Sequence, residues 1–130
     1  KKKAMEYIEP AELLSLLSAA EGLAQTVVVV DVRNDDRFDY GWIPGSMHAP
    51  CSDIDNETLA SIAARATSQP SSSSSLVVFH CQMSQVRGPT AYRLFRKRVG
   101  DSPRSVVLRG GFEAWAKFVS QAHPRMIQRR

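Results

Sequence analysis

Cysteine is scarce in this chain. Its 130 residues hold two, Cys51 and Cys81, too few for a disulfide framework and not spaced as a CxxC pair. Long apolar runs are missing too: the longest β-branched stretch is Val27 to Val30, far short of the roughly 20 residues that span a bilayer. At the start Lys1-Lys2-Lys3 leads into no apolar h-region, so nothing resembles a signal peptide. The expected setting is reducing and cytoplasmic, with no membrane partner. The sequence does not open with methionine, and Met5 is an expected natural start. His48 and His123 lack a ligand-like spacing with either cysteine and no zinc motif occurs, so no metal is expected.

What is present is core material. With 43% hydrophobic and 23% charged residues, five Phe, three Tyr and two Trp, the chain can bury one core, and residues 1–130 are expected to form one domain. Charge is unevenly placed: residues 1–84 carry six basic and eleven acidic side chains, net −5, whereas residues 85–130 carry eleven and two, net +9. Such a basic third suits an anionic ligand. Nucleic acid is not expected, because no nucleic-acid module motif accompanies the basic set Arg93, Arg96, Lys97 and Arg98.

Pro10 opens a helix over 10–20 (Ala11, Leu13, Leu14, Leu16, Leu17), with Gly22 as its closing cap. Thr26 to Val30 is a continuously apolar, β-branched run, the pattern of a strand covered on both faces. Leu76 to Phe79 and Ser105 to Leu108 read the same way. Between them a helix runs from about Pro89 to Val99, with Ala91, Leu94, Phe95 and Val99 as its apolar stripe. Strand, helix, strand implies a right-handed parallel crossover and an α/β layer fold. Further helices are expected over 112–120, after the Gly110-Gly111 turn, and over 56–67 with Asp55 or Asn56 as cap. Short extended pieces at Glu6–Ile8 and Met47–Ala49 would add edge strands, and residues 69–75 read as a flexible Pro/Ser loop.

The densest chemistry is His80-Cys81-Gln82-Met83-Ser84-Gln85-Val86-Arg87-Gly88-Pro89, between a buried strand and an amphipathic helix. Five residues separate Cys81 from Arg87. A loop of that length can curl its backbone N–H groups inward while the next helix presents its positive end to the same point. Amide dipoles, helix N-terminus and guanidinium all favour the thiolate, which is the nucleophile. Arg87 can hold two oxygens of a tetrahedral anion bidentately, and Ser84 could donate to the thiolate or to a leaving group. Gly88 and Pro89 suit the tight turn into the helix. His80 neighbours Cys81 on an extended strand and so points to the opposite face, which makes it a support of the loop rather than its base. Asp31, at a strand end, reads as structural, bonding loop backbone or Arg33. Trp42 and Trp115 read as packing residues.

His80-Cys81-x-x-Ser84-x-x-Arg87-Gly88-Pro89 resembles the active-site loop of the cell-division-cycle phosphatase branch of the rhodanese superfamily. Val30-Asp31-Val32-Arg33, followed by Phe38 to Ser46, is similar to the DVR…GHIPGA segment of rhodanese domains, with Trp42 in place of the usual His. Leu108-Arg109-Gly110-Gly111-Phe112-Glu113-Ala114-Trp115 is similar to their LxGGFxxW signature. The resemblance covers nearly the whole chain and implies a rhodanese-like fold: a five-stranded, mainly parallel sheet flanked by helices, with the active loop at the strands' carboxyl ends.

Within that superfamily, sulfurtransferases have four residues between Cys and Arg, while phosphatases and arsenate reductases have five, as here. The cell-cycle phosphatases typically carry a Glu before the loop Arg and a second Cys in the DCR segment, whereas Val86 and Val32 stand at those places. The run Ser84 to Thr90 is most similar to the eukaryotic arsenate reductases of the branch, in particular the protozoan arsenate/antimonate reductases.

The resemblance therefore implies an arsenate and antimonate reductase with no bound cofactor. Cys81 attacks the oxyanion held by Arg87 and the amides of Gln82, Met83, Ser84, Gln85 and Val86. Glutathione, the reducing co-substrate, resolves the adduct and glutaredoxin regenerates the thiol. Cys51 is the one internal candidate for a resolving thiol and reads instead as structural. Phosphate esters fit the same cradle, so a weak phosphatase side activity is expected. A leaving alkoxide wants a general acid, and the stretch Asp35, Asp36, Asp39 reads more simply as an exposed loop. The alternative is a Cys-dependent phosphatase of protein or small-molecule esters. A catalytically silent module is disfavoured because both Cys81 and Arg87 are kept.

Overall fold

The computed structural model of the protein describes residues 5–18, 25–67 and 74–130. Five strands form one sheet: β1 (Tyr7–Ile8), β2 (Gln25–Asp31), β3 (Met47–His48), β4 (Ser74–His80) and β5 (Arg104–Leu108). Their order is β1-β5-β4-β2-β3, and every pairing is parallel. The edge strands thus also run with the rest, and the sheet is wholly rather than mainly parallel. Helices α1 (Pro10–Ser18), α2 (Asp36–Tyr40), α3 (Asn56–Ala66), α4 (Arg87–Val99) and α5 (Gly111–Val119) connect or follow them.

Unbroken apolar strands follow from a sheet covered on both faces. On one face Val28, Val30, Val77, Phe79 and Val107 pack with Leu59 and Ile62 of α3 and Ala91, Tyr92 and Phe95 of α4. On the other, Val29, Leu76, Val78, Val106 and Leu108 pack with Leu13 of α1 and Phe112, Trp115 and Val119 of α5. Each large side chain so buried contributes about 1.5–3 kcal/mol.

The central strands outrun their apolar runs. Pairing between β2 and β4 continues to Asp31 opposite His80, which carries polar groups to the sheet's carboxyl end, where a ligand site belongs. α4 starts at Arg87, two residues before the expected Pro89. Pro89 is tolerated there because first-turn N–H groups have no intrahelical partner. α5 likewise starts one residue early, at Gly111, and Asp55 caps α3 by accepting from the Thr58 amide. Asp36 to Tyr40 forms a short helix where a loop was expected. The end of the expected first helix (19–20), its Gly22 cap and residues 69–73 of the Pro/Ser loop lie outside the described residues, while Ser74 and Ser75, expected in that loop, instead open β4 by pairing with β2.

The two tryptophans fasten the C-terminal segment. Trp42 exchanges both backbone hydrogen bonds with Gln128 at 2.8 Å, and the buried Trp115 donates through Nε1 to the Met126 carbonyl at 2.9 Å. No helix among the described residues is long and apolar enough to cross a membrane.

Candidate active site

Cys81 follows the last residue of β4 and is buried, 3% exposed. The Gly88 amide in the first turn of α4 donates to Cys81 Sγ at 3.2 Å, so the helix N-terminus addresses the sulfur through a specific N–H. The fit at that point is close: a Cβ on Gly88 would lie 3.3 Å from Ser84 Oγ and 3.4 Å from the Cys81 amide nitrogen, so a side chain there would have to push the Ser84 hydroxyl aside by a few tenths of an ångström.

Amides can face inward only if the carbonyls of the same peptides find partners outward, and α5 supplies them. The Phe112 and Glu113 amides donate to the carbonyls of Cys81 and Gln82, each at 2.9 Å. Gly111 lies so close beneath the loop, at φ +63°, that a Cβ there would sit 2.5 Å from the Cys81 carbonyl oxygen. Ser84 is the one non-glycine residue with positive φ, 54°, among those described, and its buried Oγ accepts from the Cys81 amide at 3.4 Å. That bond braces the curl and uses a lone pair of the hydroxyl oxygen. Gln82 accepts through Oε1 from Arg33 at 2.9 Å, while Met83, Gln85 and Val86 turn their side chains outward and are exposed.

Beneath the loop lies a buried charge cluster. Asp31, fully buried, accepts from Arg33 Nε at 3.0 Å and Nη2 at 2.7 Å, and from Arg37 Nη1 at 3.3 Å. Arg33 also donates to the Gly41 carbonyl at 2.7 Å and lies 4.4 Å over the Phe112 ring; Arg37 lies over Trp42. Burial pulls the Asp31 pKa upward, but hydrogen bonds and charge from Arg33 outweigh it and keep the carboxyl below its ordinary value. His80 is fully buried with its ring stacked on Phe112. Burial lowers its pKa, with Asp31 opposing, so at neutral pH the ring is uncharged. Two guanidiniums against one carboxylate leave the cluster net positive directly under the oxyanion loop, which favours an anion above it.

Arg87 opens α4 beside the thiol and is half-buried. Its Nη1 and Nη2 donate to both carboxylate oxygens of Asp36, at 3.1 and 2.8 Å. That hydrogen bond lowers the Asp36 pKa against the opposing effect of burial and raises that of Arg87. Asp36 is thus an ionised carboxylate at neutral pH and unsuited to the general-acid role considered for the acidic stretch. Cys51 packs at the edge of the core cluster that contains Cys81, and burial raises its pKa.

The structure thus brings Asp31, His80, Cys81, the loop residues, Arg87 and Gly88 to one end of the sheet. Asp31 and Arg33, two apart on extended chain, share a face, a relation visible in the sequence. Arg37 and the pairing of Asp36 with Arg87 were not foreseen. They span 6 and 51 residues, and α2, which places them, has no apolar periodicity to announce it.

A buried cysteine at a strand end, a helix amide on its sulfur and an arginine reached after five intervening loop residues define a cysteine-dependent oxyanion-loop protein of the α/β class. The chain belongs to the rhodanese family, whose rhodanese-like domain model matches residues 9–118. It is 29% identical over 119 residues to "Arsenate reductase 2.2" of Oryza sativa subsp. japonica, covering 87% of this chain and 83% of that protein. A CDC25-like phosphatase of Saccharomyces cerevisiae is 31% identical over 121 residues, covering 85% and 81%. Among solved structures, the As-Sb reductase from Leishmania major superposes with a TM-score of 0.80 at 32% identity, over 95% of this chain and 85% of that one. These relatives support cysteine-based oxyanion chemistry of the rhodanese type.

Proposed function

We propose that the protein is a thiol-dependent arsenate reductase that also accepts antimonate, working in the reducing cytoplasm. The observation that carries this reading is the Gly88 amide 3.2 Å from Cys81 Sγ, in a five-residue loop that ends on Arg87 and lies above a net positive cluster. The amides and Arg87 hold the oxyanion. Cys81 thiolate attacks As(V), a protonated oxygen departs as water, and a Cys81 sulfur–arsenic bond forms. Glutathione thiolate then attacks the Cys81 sulfur, the S–As electron pair leaves with arsenic as arsenite, and a mixed Cys81–glutathione disulfide remains. Glutaredoxin with a second glutathione restores the thiol. The same seat takes phosphate esters, but with Asp36 ionised no ready acid protonates a leaving alkoxide, which limits hydrolysis to activated esters. Relatives that are reductases and relatives that are phosphatases both fit one loop whose adduct meets a different fate.

The test is NADPH oxidation coupled through glutathione reductase with glutathione, glutaredoxin and arsenate, run beside p-nitrophenyl phosphate hydrolysis. Wild-type protein should turn over arsenate in a glutathione-dependent way and Cys81→Ser should lose it while staying folded. Cys81-dependent ester hydrolysis without arsenate turnover would make the protein a phosphatase instead.

A further inference from the structure

Arg87 is the one side chain of the loop that can grip an oxyanion with two parallel hydrogen bonds, and its fork is already occupied. Nη1 and Nη2 each give one N–H to Asp36, one to each carboxylate oxygen, so the end of the fork that can hold an anion at two points is taken. A carboxylate presented edge-on offers two oxygens much as one edge of a tetrahedral anion does. The pair is also accessible: the Arg87 side chain is 30% exposed and that of Asp36 28%. Asp36 sits on the five-residue α2, and both of its carboxylate oxygens accept from Arg87.

We propose that Asp36 is an internal substitute for the substrate, a carboxylate that holds the Arg87 fork until an oxyanion takes its place, so that binding is an exchange of one anion for another. Asp36 is then a specificity-determining residue acting through Arg87. Electrostatics favours exchange over simultaneous binding. A thiolate, a carboxylate and an oxyanion would otherwise crowd one half-exposed guanidinium, and like charges at such range repel. The half-solvated pair costs little to break. While it persists, it keeps Arg87 extended toward the seat and makes weakly coordinating anions poor competitors, since they must displace a two-point ligand.

This inference rests on the reading of the loop as an oxyanion seat, and calorimetric titration with inorganic phosphate, which occupies the seat without redox chemistry, separates the two. Asp36→Asn removes the competing charge and should bind phosphate about threefold to tenfold more tightly, as loss of a bidentate competitor of modest strength implies. Asp36→Glu keeps a carboxylate and should return to wild-type affinity. In arsenate turnover, Asp36→Asn should lower KM by a similar factor with kcat within about twofold of wild type. Circular dichroism confirms that the variants are folded. If Asp36→Asn binds phosphate no better or more weakly, or loses kcat with KM unchanged, the carboxylate is a fixed prop for Arg87 and the exchange is wrong. If phosphate binding tightens as expected but no variant reduces arsenate, the exchange stands and the reductase reading falls.

Discussion

Arg33 and Arg87 each meet an aspartate beside the Cys81 loop at nearly the same distance, 2.7 Å to Asp31 and 2.8 Å to Asp36. Their surroundings differ. The first pair is 0% exposed on both sides, the second 30% and 28%. Bond length therefore does not tell which pair is architecture and which is available for chemistry; solvation does. In the sealed pair each charge was stripped of water and depends on its partner, so losing one leaves a bare ion in the interior. In the open pair water replaces a lost partner cheaply. One arginine serves the fold by being immovable, and the other serves a ligand by being releasable.

Substitutions can break this contrast. Asp31→Asn should cost about 3–5 kcal/mol in denaturant unfolding, because Arg33 and Arg37 lose their counter-charge in a buried setting, while Asp36→Asn should change stability by no more than about 1 kcal/mol. Equal effects would show that burial does not separate the pairs. A middle-sized effect is expected from the support beneath the loop. Gly111→Ala forces a Cβ to 2.5 Å from the Cys81 carbonyl at φ +63°, a strain of about 1–3 kcal/mol, and should lower turnover more than stability by displacing the loop.

The smallest effect is read in acid. Both aspartates have depressed pKa values in the folded protein. Their stabilising contributions are complete above the unfolded carboxylate value of about 3.9 and are lost as pH falls through the lower folded values. Asp31→Asn should flatten the acid limb of a stability–pH curve clearly, and Asp36→Asn only slightly. A steeper change from Asp36→Asn would place the coupled charge at the open pair.

The sequence made the continuous parts of this architecture legible. β-branched runs such as Val27 to Val30 marked the central strands because burial on both faces removes any polar alternation, and the span from His80 to Pro89 marked the loop because its chemistry is local. Asp31 and Arg33 could be paired by their two-residue spacing. Asp36, in contrast, looked like one acid among several in an exposed stretch. Nothing within α2 encodes its meeting with Arg87, which depends on β2 and β4 lying side by side and ending at the same level. Arg37 drew no reading from the sequence for the same reason: nothing in a single chain stretch tells that its counter-ion is buried beside it.

The hold of α5 on the Cys81 and Gln82 carbonyls has a practical meaning for anyone transplanting this loop. The ten residues from His80 to Pro89 are not a portable cassette, since the curl that aims their amides is completed by Gly111, Phe112 and Glu113 some thirty positions later. A graft into another scaffold that moved only the contiguous stretch would carry the nucleophile without the mould that shapes its surroundings. The smallest unit that can be exchanged between such scaffolds is discontinuous: the loop together with the opening turn of the final helix.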